Sequence, residues 1–313
     1  ERDAGREAAR RALDAQRRFE AALCERGSAL LDRLRSDPDA VGVVLMARSY
    51  NAQDAGANLG IAAELQRLGV TPIPLDYLPL DQVDISAITD RPYWSYERKL
   101  LAAALLVAQE RQLFGLFVTN FGCGPNAFIE NIVRDIMGDK PLGEIEVDEH
   151  AAEAGIVTRL EALVDTVRTY RSMNGAPRLD TERFARRVPS GVRRSECLLL
   201  PRMADHADVM AAAARSFGVD ARVLPDSDAR SLALSRDVTS GKECLPYRDS
   251  LGVLLRAAED GDIIPGARAL MAGSYGPCRL GKYAQEQQKV LRDVGIDLQI
   301  MTTVSNNAYA DLG

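Results

Sequence analysis

Short apolar runs alternate with helical stretches along most of the chain, and the alternation occurs twice. Runs of this length, separated by helices and flanked mostly by turn residues, are typical of parallel strands joined by crossover helices. We therefore predict two α/β domains, each a doubly wound parallel sheet of the flavodoxin or Rossmann type. The predicted strands are 41–47, 70–76, 113–120 and 141–148 in the first half, and 196–203, 219–224, 267–274 and 296–301 in the second.

The two halves share local features that indicate a duplication. The first strand of each half is followed by an arginine and an aspartate at the same spacing, Arg48 with Asp54 and Arg202 with Asp208. A Gly-Val pair opens the second strand of each half, and the third strand of each ends in a turn with Gly, Pro and Cys. An amphipathic helical pattern precedes the first strand. The predicted division is a helical segment at 1–36, α/β domains at 37–170 and 195–313, and a linker at 171–194.

Composition restricts the partners of the protein. The 313 residues include 46% apolar residues and carry a net charge of −6, which gives no general attraction to nucleic acid or to an anionic membrane. The longest apolar run, 100–107, is too short for a membrane span, and the charged start is unlike a signal peptide. Five cysteines without close pairing do not make a disulfide scaffold. We expect a cytoplasmic protein, and the sequence leaves a homodimer open.

Some of the cysteines lie in turns rich in Gly and Pro, where a metal cluster could be held. These are Cys123 in 122–125, Cys244 in 242–246 and Cys278 in 276–279. Glycine lets the backbone approach a cluster, and a helix N-terminus behind the cysteine favours the thiolate. Three thiolates suit an iron–sulfur cubane with one open iron, whereas zinc usually takes a fourth ligand. Three separate core cysteines are the open alternative. Cys24 and Cys197 are expected to be core residues.

Two glycine-rich turns nearly match nucleotide-binding motifs. The stretch 276–283 has phosphate-loop spacing, but Tyr283 stands where a Ser or Thr would bind magnesium, and Pro277 removes a backbone donor. The stretch 122–127 follows the dinucleotide pattern, but after the third predicted strand instead of the first. We therefore do not expect either turn to bind a nucleotide.

Polar residues around these turns are candidates for binding substrate or for bracing the cysteine loops. Arg279 and Lys282 would offset the negative charge of a cluster, whereas Glu243 would oppose it. His150 follows a strand and is expected in a loop or helix cap. The remaining candidates at the ends of the first and third strands are Arg48, Tyr50, Asn51, Asp54 and Asn120.

Several of these motifs resemble the family of acyl-CoA dehydratase activase-related proteins. The resemblance covers roughly residues 10–313. It is carried by 48–51 with Asp54 and Asn58, 119–126, 148–151 through Gly155, Thr158, Arg159, Glu161 and Ala162, 240–246, and 276–283. Proteins of this family combine actin-like ATPase activase domains with a region similar to 2-hydroxyacyl-CoA dehydratase subunits. In those subunits, flavodoxin-like domains hold an iron–sulfur cubane through three cysteines, and related proteins hold a double cubane.

The resemblance implies that Cys123, Cys244 and Cys278 hold an iron–sulfur cluster, either a 4Fe–4S cubane or a double cubane. It implies a redox component that receives low-potential electrons from an ATP-dependent activase domain or protein. Such a component would reduce or dehydrate a small substrate, with acyl-CoA as one candidate, in anaerobic metabolism. The chain resembles the dehydratase-like portion without the ATPase, so we expect a fragment whose cluster is lost in aerobic or truncated preparations. The alternative is a non-catalytic docking or scaffold module of a larger activase-fused protein.

Overall fold

The computed structural model describes residues 2–89, 92–150, 152–173, 197–274 and 276–303, apart from the side chains of residues 55 and 303. The chain divides into two compact units, Glu1–Ala185 and Arg186–Gly313, here called unit 1 and unit 2. Each unit contains one four-stranded sheet in which all strands are parallel. The predicted mixed α/β fold, with two Rossmann-like parallel sheets and an N-terminal helix, is therefore confirmed.

Unit 1 has the strand order β2-β1-β3-β4. Its strands are β1 (Gly42–Ala47), β2 (Thr71–Pro74), β3 (Leu113–Asn120) and β4 (Leu142–Val147). Its helices are α1 (Arg2–Ser36), α2 (Ser49–Gln53), α3 (Ala55–Asn58), α4 (Ile61–Arg67), α5 (Ser95–Gln109), α6 (Gly124–Met137) and α7 (Glu153–Ser172), with short 3₁₀ helices at Leu75–Tyr77 and Leu80–Gln82.

The sheet of unit 1 is buried on both faces, which explains why its central strands are apolar without alternation. Every residue of β1 is buried, and only the last residue of β3 is partly exposed. One face packs against apolar side chains of α1, α5 and α6, and the other against those of α4 and α7. Helices on both faces are what a parallel sheet requires, because its connections must cross over the sheet.

Among the described residues of helix α1, those that are buried are Gly27, Leu31 and Leu34, in its C-terminal part. Gly27 allows the helix backbone to lie directly on the 3₁₀ helix at Leu75–Tyr77. A Cβ atom at this position would be 1.8 Å from the carbonyl oxygen of Tyr77. Cys24, one turn earlier, is exposed, so the expectation that it is a core residue is wrong.

Unit 2 repeats the arrangement with the strand order β6-β5-β7-β8. Its strands are β5 (Cys197–Leu200), β6 (Asp220–Val223), β7 (Arg268–Ala272) and β8 (Gln299–Thr303). Its helices are α8 (His206–Ser216), α9 (Ala229–Asp237), α10 (Leu245–Glu259) and α11 (Leu280–Asp293). Helix α8 packs on β6, α11 packs on β7 and β8, and α9 packs on α10. The same strand order in both sheets fits the proposed duplication.

The structure differs from the predicted elements in several places, among them β5, which ends at Leu200, and β8, which begins at Gln299. The second strand of unit 1 ends at Pro74, and a 3₁₀ helix replaces its predicted end. Helix α7 continues to Ser172, into the predicted linker, of which 174–194 lie outside the described residues. Helix α9 was not predicted. The predicted domain limits stay a prediction. Within the described ranges, no helix is both long and apolar enough to cross a lipid bilayer.

Because Lys140 is buried, we predict an unusual pH dependence of the stability of unit 1. Its ammonium donates hydrogen bonds to the carbonyl oxygens of Val107 (2.6 Å) and Glu110, and the side chain is buried. Burial lowers the pKa of Lys140 from 10.5 to about 8, with Glu110 opposing the shift. Between these two values the unfolded state binds more protons than the folded state. The contribution of Lys140 to the free energy of unfolding is therefore least favourable below about pH 8 and improves towards about pH 10.5.

The prediction is tested by comparing wild type with Lys140→Met in urea at several pH values. Relative to the variant, wild type should gain about 1 kcal/mol of unfolding free energy per pH unit between about pH 8 and about pH 10. Trp94, the only tryptophan, belongs to unit 1 and reports its unfolding by fluorescence. A difference between the two proteins that stays constant with pH contradicts the prediction. Only the slope of the difference in unfolding free energy against pH is compared. The size of that difference also reflects the two hydrogen bonds that the variant loses.

Candidate functional site

Both sheets have a topological switch point, which is where doubly wound α/β proteins bind ligands. In unit 1 the connections leave the neighbouring strands β1 and β3 in opposite directions, and in unit 2 the same holds for β5 and β7. The crevice beyond the carboxyl ends of such strands is open to ligands. Arg48 directly follows β1, the Cys123 turn directly follows β3, and the Cys278 turn follows β7.

Cys123 is the N-cap residue of α6 and is partly exposed. The preceding Gly122 has a φ of +68°, which side chains disfavour, so glycine is required for the chain to turn from β3 into the helix. The Cys123 amide donates a hydrogen bond to the carbonyl oxygen of Asn120 (3.0 Å), and the thiol does not cap the helix. The thiol therefore lies at the positive end of a 14-residue helix and is accessible to a ligand.

In unit 2, Cys244 is likewise an N-cap residue, at the start of α10. It follows α9 and a turn, and not a strand directly. Its counterpart in unit 1 is Trp94, the N-cap of the equally long helix α5. Glu243 braces the turn, since its carboxylate accepts hydrogen bonds from the Ser240 hydroxyl (2.9 Å) and the Gly241 amide (3.0 Å). Glu243 therefore has a structural role in holding Cys244.

The Cys244 sulfur lies 2.7 Å from the hydroxyl oxygen of Tyr283 in α11. Burial first, then the hydrogen bond and the charge of Cys244, raise the pKa of Tyr283 above its ordinary value, whereas Arg279 lowers it. Tyr283 therefore keeps its proton and is the donor whenever Cys244 is a thiolate. The ring of Tyr283 is fixed edge-on against Tyr247 of α10, with ring centroids 5.3 Å apart.

Cys278 is exposed and lies two residues before α11. The charge of Cys278 also raises the pKa of Tyr283, so Cys244 and Cys278 both act on the same hydroxyl. Arg279 is the N-cap residue of α11 and provides a positive charge beside that hydroxyl. Lys282 is almost fully buried, and its ammonium donates a hydrogen bond to the Gln285 side chain. These positions are compatible with the predicted role of Arg279 in offsetting negative charge.

Asparagines connect the loops at the switch point of unit 1. The Asn51 amide nitrogen donates to the Asn120 side-chain oxygen (2.7 Å), which joins α2 to the end of β3. The Asn126 amide nitrogen donates to the Thr119 hydroxyl (2.8 Å), which joins the first turn of α6 to the same strand. Arg48 lies over the ring of Tyr96, 5.6 Å from its centroid. Arg48, Asn51 and Asn120 are thus grouped at one edge of the sheet.

The other predicted site residues have different surroundings. Asp54 caps α3 by accepting a hydrogen bond from the Ala57 amide (2.9 Å). Tyr50 is half exposed. His150 is exposed, and its ring nitrogen lies 3.7 Å from the Glu149 carboxylate. Cys197 is buried in β5, as expected.

In neither unit do the described His, Cys, Asp and Glu side chains form a group of three or more that could hold a metal ion. Cys244 and Cys278 belong to unit 2 and Cys123 belongs to unit 1, so a ligand set shared by all three stays a prediction from the sequence.

Sequence reasoning gave no functional role to Tyr283, Tyr96 or Asn126. In the sequence, Tyr283 stands out only as the residue that breaks the phosphate-loop pattern. Tyr96 gave no signal, because it is separated from Arg48 by an entire β-α connection.

The chain was compared with family models, curated proteins and solved structures. No curated protein and no solved structure matches it. One family model matches the first part of unit 1, from α1 to the 3₁₀ helix after β2, a region that includes Arg48 and Asn51. Residues 1–78 match the family described as CoA enzyme activase uncharacterised domain (DUF2229).

Proposed function

We propose that this protein is an iron–sulfur redox component that works with an ATP-dependent activase, and that Cys123, Cys244 and Cys278 hold the cluster. The observation that carries the proposal is the contact of Cys244 with Tyr283, with Cys278 acting on the same hydroxyl. The ring of Tyr283 is buried against Tyr247, while its hydroxyl is hydrogen-bonded to one cysteine and feels the charge of a second, exposed cysteine. A hydroxyl in this position is a suitable hydrogen-bond donor to sulfur atoms that carry negative charge.

The donor chemistry fits such a cluster. Each of the three thiols lies at the N-terminal end of a helix of 14 or 15 residues, where the helix dipole favours a thiolate and an anionic ligand. All three are partly or fully exposed, whereas Cys197 is buried. A bound iron–sulfur cluster would supply one-electron transfer, and three thiolate ligands would leave one iron available to a substrate.

The protein residues around the thiols have separate tasks in this proposal. Tyr283 donates to the Cys244 sulfur and favours the reduced state of the sulfur-bound group, because a hydrogen bond to sulfur stabilises added negative charge. Arg279 acts in the same direction through its positive charge. Glu243 holds the turn that presents Cys244.

The activase part of the proposal is supported by the family match of residues 1–78. Reduction at very low potential needs an energy source, and the near-match to a phosphate loop at 276–283 has Tyr283 where a Ser or Thr would bind magnesium. We therefore assign ATP hydrolysis to the partner. The proposed reaction is the reduction or dehydration of a small substrate, with an acyl-CoA as the leading candidate.

The experiment is anaerobic reconstitution with iron and sulfide, removal of unbound iron, and titration with titanium(III) citrate. The protein should become brown, with broad charge-transfer absorption that bleaches on reduction and returns on oxidation. A colourless protein, or a colour that the reductant does not change, would contradict a redox function.

A non-catalytic docking module is the second candidate. The absence of a group of three metal-binding side chains within either unit, among the residues described, favours it. The same reconstitution decides between the candidates, since a docking module binds no stoichiometric iron.

A further inference from the structure

Three buried polar atoms without a hydrogen-bond partner lie at the switch point of unit 1. They are Arg48 Nε, Asn51 Oδ1 and Asn126 Oδ1. Asn51 and Asn126 are 1% and 2% exposed, so solvent does not compensate for the missing partners. A buried polar group without a partner costs free energy, and such groups usually have a reason to persist. Three of them at one edge of one sheet indicate a ligand-binding position.

The guanidinium of Arg48 is the charged member of this group. No carboxylate forms an ion pair with it in the described part of the chain, and it lies over the ring of Tyr96. By contrast, Arg98 and Arg134, which lie in α5 and α6, both have carboxylate partners. An unpaired arginine held against an aromatic ring is prepared to receive an anion, because its orientation is already fixed.

The uncharged members define what else the ligand carries. The Asn51 and Asn126 nitrogens are engaged by Asn120 and Thr119, so their free oxygens can only accept hydrogen bonds. The ligand must therefore provide hydroxyl or N–H donors beside its anionic group. Asn126 is the third residue of α6, so the backbone amides in the first turn of this 14-residue helix also face an anion favourably.

We propose that the β1/β3 switch point of unit 1 binds a small organic carboxylate that also carries hydroxyl or N–H donors. Arg48 pairs with the carboxylate, and Asn51 and Asn126 accept hydrogen bonds from the donor groups. The inference assigns to this position the recognition of a free carboxylate on the small substrate, because the thioester of an acyl-CoA carries no charge with which Arg48 could pair. It rests on the proposed function for its biological meaning. Its test uses protein without iron, so a failure of ligand binding and a failure of cluster loading are separate results.

The test is thermal unfolding with tartrate, with succinate, and with sodium chloride at matched ionic strength. Tartrate and succinate carry the same two carboxylates, and only tartrate has hydroxyl groups. Tartrate should raise the Tm of wild type by about 2–4 °C, succinate by less, and sodium chloride should not change it. Arg48→Met should abolish the effect of tartrate. Arg111→Met, which removes an exposed arginine before the amino end of β3, should preserve it.

A second readout does not depend on the probe. Because the unpaired guanidinium costs stability in the absence of ligand, Arg48→Met should raise the Tm without ligand by about 2–4 °C relative to Arg111→Met. The proposal requires both results. Equal effects of tartrate on wild type and Arg48→Met, no effect on wild type, or a lower Tm of Arg48→Met without ligand would each overturn it.

Discussion

Gly252→Ala should destabilise unit 2 by about 3 kcal/mol, because the substitution forces two helices apart. A Cβ atom at residue 252 would lie 2.0 Å from the carbonyl oxygen and 2.6 Å from the carbonyl carbon of Ser231. These are backbone atoms of α9 and cannot rotate away as a flexible side chain would. Helix α10 carries Cys244 at its start, so the displacement also disturbs the candidate site. The measurement is hydrogen exchange by mass spectrometry over 229–259, which should lose protection in the variant.

The matched control is Gly155→Ala in α7. There the nearest atom to an added Cβ is a side-chain nitrogen of Arg159, 3.6 Å away, which is an ordinary contact. The control should gain about 0.5–1 kcal/mol from the higher helix propensity of alanine. Unchanged protection of 229–259 in Gly252→Ala would show that α9 and α10 do not pack as closely as the structure places them.

Cys244→Ser should reduce the iron retained after anaerobic reconstitution from about four atoms per chain to less than one, on the single-cubane proposal. Serine preserves the size of the side chain and can still bond to the Tyr283 hydroxyl, so the helix cap and the fold should survive. A serine hydroxyl is a poor replacement for a thiolate, which is the form that binds iron. The measurement is iron and acid-labile sulfide per chain, with far-UV circular dichroism to check the fold.

Cys24→Ser is the control for this prediction, because Cys24 is exposed in α1 and is not a proposed ligand. It should retain the iron content of wild type. Equal iron in wild type, Cys24→Ser and Cys244→Ser would remove Cys244 from the ligand set.

Much of the fold could be predicted because buried parallel strands are continuous apolar runs. Strand β3 occupies the predicted 113–120, and β1 is shorter than predicted by a single residue. Helix α9 was missed because the residues that it buries are Ser231 and Ser235, so it has no apolar stripe to detect. The predicted end of the second strand was wrong because Leu75 is buried as part of a 3₁₀ helix. A buried apolar residue fits a strand and a 3₁₀ helix equally well.

The candidate site could be predicted only as separate pieces. Sequence motifs identified the cysteine turns and the polar residues after β1. They could not show that Asn51 bonds to Asn120, 69 residues away, or that Tyr283 bonds to Cys244, 39 residues away. Such contacts depend on strand order and helix packing. The atoms of Arg48, Asn51 and Asn126 that lack a hydrogen-bond partner can likewise be identified only from the three-dimensional structure.

The most direct test of the central claim is to alkylate the protein with iodoacetamide before and after anaerobic reconstitution and to locate the modified cysteines by mass spectrometry. Without iron, Cys24, Cys123, Cys244 and Cys278 should all react, because each is at least partly exposed, while buried Cys197 should react slowly. With iron bound, Cys123, Cys244 and Cys278 should be protected together and Cys24 should still react. Undiminished alkylation of any one of the three in the iron-loaded protein would contradict the claim that they share a cluster.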